Sequence, residues 1–447
     1  MRAEEREETI MDSDPARLTA RQMADLRAAG KTTSEALVRA CLTRIALRED
    51  EVGAWTHLDA EAALAEARRA DATPARGPLH GIPVAVKDII DTADMPTAYG
   101  SGIYAGHRPA ADAACVALLR EAGAIVLGKT VTTEFAAVTP GKTRNPHNLA
   151  HSPGGSSSGS AAAVADFMAP LALGTQTVGS TVRPASYCGA VGFKPTWQTF
   201  SLAGIKPQAE TFDTLGLFAR SVGDVVLLGD ALLGGFAAGV PLRDRPPRLG
   251  FSRTPHWPNA EPSTRRAMDT AMAVLRAAGA DIVDCDAADG FDDALDAHWT
   301  ILCFEIARVL SYERTARRDG LSEALRGLLD RGMDIPLADY RAALETVARR
   351  GRDIAPAFAE LDALLTPAAA GEAPSDPRAP SDLLFQRLWT ALRLPAITLP
   401  GFTGDTGLPV GIQLIGPAGG DGALLAVAQW AEGAFERAAT EDRGGPA

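Results

Sequence analysis

A glycine- and serine-rich segment and a second segment of mostly small residues carry the residue types best suited to covalent chemistry. The first, Pro153–Ser160, passes directly into the alanine-rich stretch 161–165, and the second is Gly174–Ser180. Glycines let a backbone approach a ligand closely and expose several N–H groups in one place. A serine at the start of a helix lies where partial positive charge gathers. A serine nucleophile and an oxyanion hole need these features, whereas a flexible linker does not run straight into a helix and a strand.

Five motifs follow one another along nearly the whole chain: Pro83–Asp88, Gly154–Ala163, Leu173–Ala185, Cys188–Thr196 and Gly407–Gly416. Within the second and third motifs, Ser156 and Ser180 are 24 residues apart. In their order and in this separation, which is fixed between the two catalytic serines of that family, the motifs resemble the amidase signature family. The resemblance implies a hydrolase that cleaves amide-type C–N bonds other than peptide bonds and requires no metal and no organic cofactor.

The resemblance also implies a catalytic triad. Ser180 would attack the carbonyl carbon, and Ser156, which the family holds after a cis peptide bond, would relay the proton between Ser180 and Lys87. Lys87 would be the base, which requires that burial lower its pKa from ~10.4, and the apolar run Ile82–Val86 before it suits that burial. Ser156 would then return the proton to the leaving amine. The oxyanion hole would consist of the backbone N–H groups of Thr177, Val178, Gly179 and Ser180.

The chain departs from the common family pattern around the nucleophile. Val178 stands where the family usually has glycine, and its branched side chain would narrow the pocket. Gln176 replaces the commoner acid, and Arg183 lies three residues after the nucleophile instead of two. This pattern resembles the malonamidase subgroup, whose equivalent arginine faces a substrate carboxylate. A structural ion pair is an equally good interpretation of Arg183.

Other residues near these motifs invite alternative mechanisms. His147 and His151 flank the first segment and suggest a Ser-His-Asp triad, but the family uses no histidine, so we expect them to pack the loop or line the pocket. Cys188 has no adjacent base in the sequence, and small-residue packing explains it better than a nucleophile does. Four aromatic residues could line an acyl pocket, although core or surface packing is the simpler expectation; these are Trp299, Phe304, Tyr312 and Trp389.

The remaining patterns predict an α/β fold. Capping boxes at Thr19 with Gln22 and at Thr32 with Glu35 predict the first two helices. Apolar runs separated by helical stretches predict one large domain with a mixed, mostly parallel twisted sheet covered by helices on both faces. The strands are expected at 82–86, 124–128, 171–177, 248–252, 281–285, 361–366, 396–399 and 410–415. We expect a flexible tail at 1–15, the amidase signature domain at 16–440, and a variable helical elaboration at about 290–355.

Composition excludes several classes of protein. The formal net charge of −12 argues against a nucleic-acid-binding role. Five scattered cysteines favour free, mostly buried thiols in a reducing compartment. The charged N-terminus does not resemble a signal peptide, and no apolar run approaches the ~18 residues that span a bilayer. We expect a cytoplasmic enzyme with a small-molecule substrate and no membrane partner. A homodimer is compatible with the sequence.

Three functions remain open at this point. The first is a stand-alone serine hydrolase for a neutral amide, aryl amide, carbamate (a urethanase) or related ester. The alternative is the glutaminase-type A subunit of a tRNA-dependent amidotransferase, which would need glutamine and a partner protein. A catalytically inactive binding protein on the same fold is the weakest hypothesis because Lys87, Ser156 and Ser180 are all present.

Overall fold

A computed structural model describes residues 14–241, 243–379 and 382–443. The β-strands are β1 Trp55–Leu58, β2 Pro83–Lys87, β3 Ile125–Thr130, β4 Leu171–Gln176, β5 Val191–Lys194, β6 Thr214–Ala219, β7 Arg248–Phe251, β8 Asp281–Asp284, β9 Ala363–Pro367, β10 Ala396–Thr403 and β11 Pro409–Ile415. The α-helices are α1 Ala20–Ala28, α2 Ser34–Val52, α3 Ala60–Asp71, α4 Ala114–Glu121, α5 Ser158–Ala165, α6 Val182–Cys188, α7 Val222–Leu232, α8 Pro262–Ala277, α9 Asp292–Val309, α10 Ser311–Ala316, α11 Glu323–Asp334, α12 Leu337–Asp353, α13 Leu384–Ala391 and α14 Asp421–Arg443.

The eleven strands form one sheet in the order β1-β3-β2-β4-β6-β5-β10-β11-β9-β7-β8. The expected single α/β domain with a mixed sheet is confirmed, but the sheet is not mostly parallel. Of the ten pairings between described strands, four are parallel and six are antiparallel. The parallel pairs lie in two groups, β3-β2-β4 and β9-β7-β8, and the strands between them run antiparallel. Short turns such as the one between β10 and β11 connect antiparallel neighbours directly, without the crossover helix that parallel pairs need.

The inner strands of the sheet are buried on both faces, which explains why they are largely apolar, whereas the edge strands β1 and β8 are partly exposed. Along β2, Val84 and Val86 belong to one hydrophobic cluster, while Ala85 between them belongs to a second one. The first cluster includes residues of α4, α7, α8 and α14, and the second includes residues of α2, α3, α5 and α6. Side chains alternate between the two faces of a strand, so the two clusters are the two helical layers that cover the sheet.

The predicted helix starts are confirmed at one position and corrected at another. Thr19 and Gln22 form the expected reciprocal capping box of α1. The cap of α2 is Thr33 and not Thr32, because the Thr33 side chain accepts a hydrogen bond from the backbone N–H of Ala36 at 3.1 Å. A side-chain oxygen at the N-cap satisfies the N–H two or three residues later, and only the later threonine has that separation from Ala36.

The region around 290–355 contains the four α-helices α9 to α12 and a short 3-10 helix at Arg318–Gly320, and α9 packs against α11, α12 and α13. The expected tail at 1–15 falls mainly on residues 1–13, outside the described part of the chain; Pro15–Arg17 forms a short 3-10 helix. The five cysteines are free, and four of them are buried, as the composition predicts. Among the described helices, none is long and apolar enough to cross a membrane.

Candidate active site

Lys87 is the last residue of β2 and is completely buried. Its Nζ atom is hydrogen-bonded to the hydroxyl oxygens of Ser156, at 2.8 Å, and Thr175, at 2.7 Å. Burial lowers the pKa of Lys87 well below its ordinary value, and the nearby charge of Asp213 opposes that shift. An ammonium group taken out of water loses its hydration, so the neutral amine is favoured. Lys87 therefore has the environment of a base.

The second partner of Lys87, Thr175, was not recognised from the sequence as a functional residue. It lies on β4, which pairs with β2 in parallel register, so the two strands end next to each other. The sequence feature that could have identified Thr175 is its place in the motif Leu173–Ala185, where a hydroxyl residue stands five positions before Ser180. Its contact fixes the Lys87 amine between two hydroxyl groups.

The loop that carries Ser156 is held by the serines that follow it. The Ser157 hydroxyl contacts the backbone of Thr175, and Ser160 Oγ donates to the carbonyl of Leu173 at 2.9 Å. Both partners are on β4. Ser158 Oγ donates to Val131 O at 3.3 Å, on the other side of the loop. These bonds account for the run of serines after Ser156, whose preceding peptide bond is cis.

Gly159 allows this helix start to pack closely on the sheet. A Cβ atom at this position would lie 2.2 Å from the carbonyl oxygen of Ala54 and 2.4 Å from the backbone nitrogen of Val131. Any larger residue would push α5, and with it Ser156, away from β3.

Ser180 lies in the turn between β4 and α6 and is 8% exposed. Its carbonyl accepts a hydrogen bond from the N–H of Ser157 at 3.4 Å, which joins the two serine-containing loops. Gln176 shapes the turn: its Oε1 accepts from the backbone N–H groups of Thr181, at 2.8 Å, and Val182, at 3.1 Å. The structure thus brings Lys87, Ser156 and Ser180 together from three separate segments.

Asp213 is a further buried group near this turn, and none of the sequence motifs singled it out. Its Oδ1 accepts a hydrogen bond from Thr177 Oγ1 at 2.5 Å, and its Oδ2 accepts from the N–H groups of Gln208 and Ala209 at 2.8 and 3.0 Å. Burial raises the pKa of Asp213 to about 6, although the bond from Thr177 acts in the opposite direction. The sequence feature that could have identified Asp213 is its position as an acidic residue directly before the apolar strand β6.

Arg183 is on α6 and is 6% exposed. Its Nη1 donates to the carbonyl of Asp382 at 2.7 Å, and its Nη2 donates to the carbonyl of Gly155. The second bond holds the residue directly before Ser156. These two contacts are to backbone oxygens, so they match a role in positioning the serine loop.

Ser156 and Ser180 line the same cavity, which has a volume of about 180 Å³. Val178 and Arg183 also contribute to its wall, and Trp299 reaches it from α9. Trp299 is therefore the member of the four-aromatic set that lines the pocket. Phe304 stacks on Tyr340, Trp389 is buried in the core, and Tyr312 is exposed.

The residues that suggested other mechanisms contact backbone. His147 Nε2 bonds to the carbonyl of Cys188 at 2.9 Å, and His151 Nδ1 bonds to the carbonyl of Ala373 at 2.8 Å. Cys188 is buried, and its Sγ lies 3.4 Å from the carbonyl oxygen of Pro153. Burial raises the pKa of the Cys188 thiol, which makes it a poor nucleophile.

Comparison with known proteins settles the family. The sequence model of the family described as Amidase matches residues 36–425. The chain belongs to the amidase family. Members of this family, the amidase signature family, are serine hydrolases that act on C–N bonds, so the resemblance noted from the motifs is confirmed.

This amidase-family chain is similar to proteins of two kinds. It is 34% identical to the A subunit of the glutamyl-tRNA(Gln) amidotransferase of Acidothermus cellulolyticus over an alignment of 484 positions, which covers 95% of each chain. Among solved structures, a protein described as an amidase is 30% identical, with a TM-score of 0.86 over 93% of this chain and 99% of that one. The native peptide amidase from Stenotrophomonas maltophilia is 32% identical, with a TM-score of 0.83 over 94% and 97%.

Proposed function

We propose that this chain is a stand-alone amidase whose nucleophile is Ser180, with Ser156 as proton relay and Lys87 as base. The observation that carries the proposal is the 2.8 Å hydrogen bond between Lys87 Nζ and Ser156 Oγ at the wall of a cavity that Ser180 also lines. A buried neutral amine next to a hydroxyl pair is the arrangement that activates a serine without a histidine.

The steps follow from these positions. Ser180 Oγ attacks the substrate carbonyl while its proton moves to Ser156 and the Ser156 proton moves to Lys87. The negative charge on the carbonyl oxygen is stabilised by the backbone N–H groups around Val178 and Gly179. The protons then return through Ser156 to the leaving nitrogen, the C–N bond breaks, and an acyl-enzyme remains. Water, activated by the same route, hydrolyses this ester and regenerates Ser180.

The cavity supports a neutral acyl group. Its volume of about 180 Å³ slightly exceeds the about 150 Å³ of an engineered cavity that holds benzene, so an aryl-sized group fits. Arg183 is the one charged residue among the described residues of its wall. Its apolar side is formed by Val138, Val178, Trp299, Leu302, Leu328 and Leu383. Neutral amides, aryl amides and carbamates match this lining, and carbamates are cleaved through the same kind of tetrahedral intermediate.

The second candidate is the glutaminase-type A subunit of a tRNA-dependent amidotransferase. The similarity to the Acidothermus cellulolyticus amidotransferase protein over 95% of the chain favours it. Glutamine carries an α-ammonium and an α-carboxylate, and a specific site must pair both charges because buried charges are costly when unpaired. No aspartate or glutamate is among the described residues that line the cavity. The lining therefore favours the stand-alone enzyme.

The deciding experiment uses the purified full chain without any partner. Its panel contains p-nitroanilides, neutral amides, carbamates, dicarboxylic monoamides and glutamine. We expect turnover of a neutral aryl amide or carbamate, and covalent labelling of Ser180 by a fluorophosphonate probe, located by mass spectrometry. Glutamine hydrolysis that appears only with amidotransferase partner proteins would establish the second candidate instead. Ser201→Ala, an exposed serine, is the matched control for Ser180→Ala.

A further inference from the structure

Two buried side chains outside the family motifs bond to the backbone of the turn before Ser180. His298, on α9, lies with its Nε2 3.0 Å from the carbonyl oxygen of Thr177. Thr390, on α13, donates its hydroxyl to the carbonyl oxygen of Val178 at 2.6 Å. The exposed fractions of His298 and Thr390 are 0% and 1%. Each bond thus joins a distant helix to one of two successive peptide groups.

The geometry of a peptide group gives these contacts a consequence for the opposite side of the turn. In a trans peptide the C=O and the following N–H point in opposite directions and lie in one plane. Fixing the carbonyl of Thr177 therefore fixes the N–H of Val178, and fixing the carbonyl of Val178 fixes the N–H of Gly179. These N–H groups belong to the oxyanion hole in the mechanism proposed above.

We propose that His298 and Thr390 are positioning residues that aim the N–H groups of Val178 and Gly179 at the substrate's carbonyl oxygen. The inference rests on the proposed function, because it needs Ser180 as nucleophile. Preorganised donors stabilise the transition state since they need no reorientation when charge develops on the oxygen.

The hydrogen-bonding capacities of Thr390 and Gln176 fit this role. The Gln176 amide donates from Nε2 to Thr390 Oγ1 at 2.9 Å, while its Oε1 accepts from the backbone of the following helix. The Thr390 hydroxyl thus accepts from Gln176 and donates to Val178 O; its distance to Gln386 O is longer, at 3.2 Å. A carboxylate at position 176 has no proton to donate to Thr390. Gln176, in place of the acid more common in the family, therefore supplies the donor that the Thr390 hydroxyl accepts.

His298 has a fixed protonation state in this arrangement. A carbonyl oxygen only accepts hydrogen bonds, so Nε2 carries the proton. Burial, with a smaller contribution from Arg387, lowers the pKa of His298 to about 3. The ring also stacks on Phe212, with 4.4 Å between ring centroids. His298 therefore remains a neutral donor throughout the pH range in which the enzyme would work.

The test uses pairs of variants that differ in one donor. Thr390→Val keeps the shape of the side chain and loses the hydroxyl, whereas Thr390→Ser keeps the hydroxyl. His298→Leu loses the donor, whereas the amide of His298→Gln can replace it. For each variant, kcat and KM are measured on the best substrate of the panel, together with the affinity for an aldehyde or boronic acid that forms a tetrahedral adduct with the nucleophile, and the Tm.

We expect kcat to fall about 10- to 100-fold in Thr390→Val and His298→Leu, with KM nearly unchanged. Affinity for the tetrahedral adduct should fall in parallel, and Thr390→Ser and His298→Gln should recover most of the loss. Equal kcat values for Thr390→Val and Thr390→Ser, or a loss confined to KM or Tm, would overturn the inference. If Thr390→Val does not fold, the His298 pair decides the question by the same criteria. Failure of the proposed function is distinguishable because it appears in the unmodified chain, as no turnover and no labelling of Ser180.

Discussion

Lys87 Nζ and Ser156 Oγ are hydrogen-bonded at 2.8 Å although 69 residues separate them in the sequence. Lys87 ends a strand in the buried part of the sheet, and Ser156 stands in the loop before α5. Because the Lys87 side chain is completely buried, the proton affinity of its amine is set by the protein and not by water. The following predictions depend on this pair and on the residues around it.

Proton transfer in the proposed mechanism runs from Ser180 through Ser156 to Lys87, and removing either Ser180 or Lys87 should stop turnover. Ser180→Ala lacks the attacking oxygen, and Lys87→Met lacks the base but has a similar length, so kcat should fall by about 10³-fold or more in both. Circular dichroism should show an intact fold, and Ser201→Ala should match the unmodified enzyme. Retention of most activity in either variant would contradict the mechanism.

The rate should depend on pH through the lysine. Burial lowers the pKa of Lys87 well below its ordinary value, and only the neutral amine accepts a proton. Activity is therefore expected above the folded-state pKa of Lys87 and should be lost as the pH falls through it. His147→Asn and His151→Asn should leave this acid limb in the kcat/KM profile unchanged. Disappearance of the limb in either variant would favour a histidine base.

Asp213 should shift the pH at which activity is lost on the acid side of the same profile. Above its own pKa of about 6, the ionised Asp213 carboxylate raises the pKa of Lys87 against the larger effect of burial, so Asp213→Asn should move an acid limb in that pH range to lower pH. The asparagine can still accept the hydrogen bonds from Gln208 and Ala209, which limits structural damage. A pH profile with an unmoved limb and only a lower plateau would show that Asp213 acts through the structure alone.

Arg183→Ala should lower activity on all substrates alike. Its bonds to the carbonyls of Gly155 and Asp382 hold the serine loop, and each hydrogen bond to a charged group is worth ~1.5–3 kcal/mol. We expect kcat/KM to fall by a similar factor for a neutral amide and a dicarboxylic monoamide, with a lower Tm. A KM increase confined to the carboxylate substrate would instead support the malonamidase-like interpretation.

Val178 should restrict the acyl group. It lines the cavity beside Ser180 and lies outside the positive-φ region, so its side chain occupies space without straining the turn. Val178→Ala should raise kcat/KM for a bulky acyl group relative to a small one about tenfold, since one or two methyl groups in a pocket are worth that much discrimination. Val178→Gly should widen the pocket further. An unchanged ratio in both variants would remove Val178 from the specificity determinants.

The strands that carry the site could be predicted from sequence because they are buried on both faces. The runs before Lys87 and Thr175 are apolar throughout, and the bounds of β2 and β4 differ from expectation by one residue. The strands β1, β5 and β6 were missed: β1 is only four residues long and lies between two helices, β5 lies within a recognised motif, and β6 follows an irregular segment. Without β5 and β6, the antiparallel middle of the sheet could not be inferred.

The residues that support the site, His298 and Thr390, could not be predicted from local sequence patterns. Thr177 and His298 are 121 residues apart, and Val178 and Thr390 are 212 residues apart. Pairing of that kind depends on how helices pack over the sheet, which neither periodicity nor motif spacing records. By contrast, Lys87, Ser156 and Ser180 could be recognised because the family motifs restrict both the residue types and the separations between them.

In the proposed mechanism, helix α9 contributes to both substrate selectivity and turnover. Trp299 and Leu302 shape the cavity wall, while the adjacent His298 contacts the backbone of Thr177. Transplanting this helix from a relative to change the accepted substrate would alter both traits at once. Engineering a new acyl preference should therefore proceed by single replacements on the cavity side of α9 with position 298 left untouched, whereas wholesale segment exchange would yield chimeras of poor catalytic power.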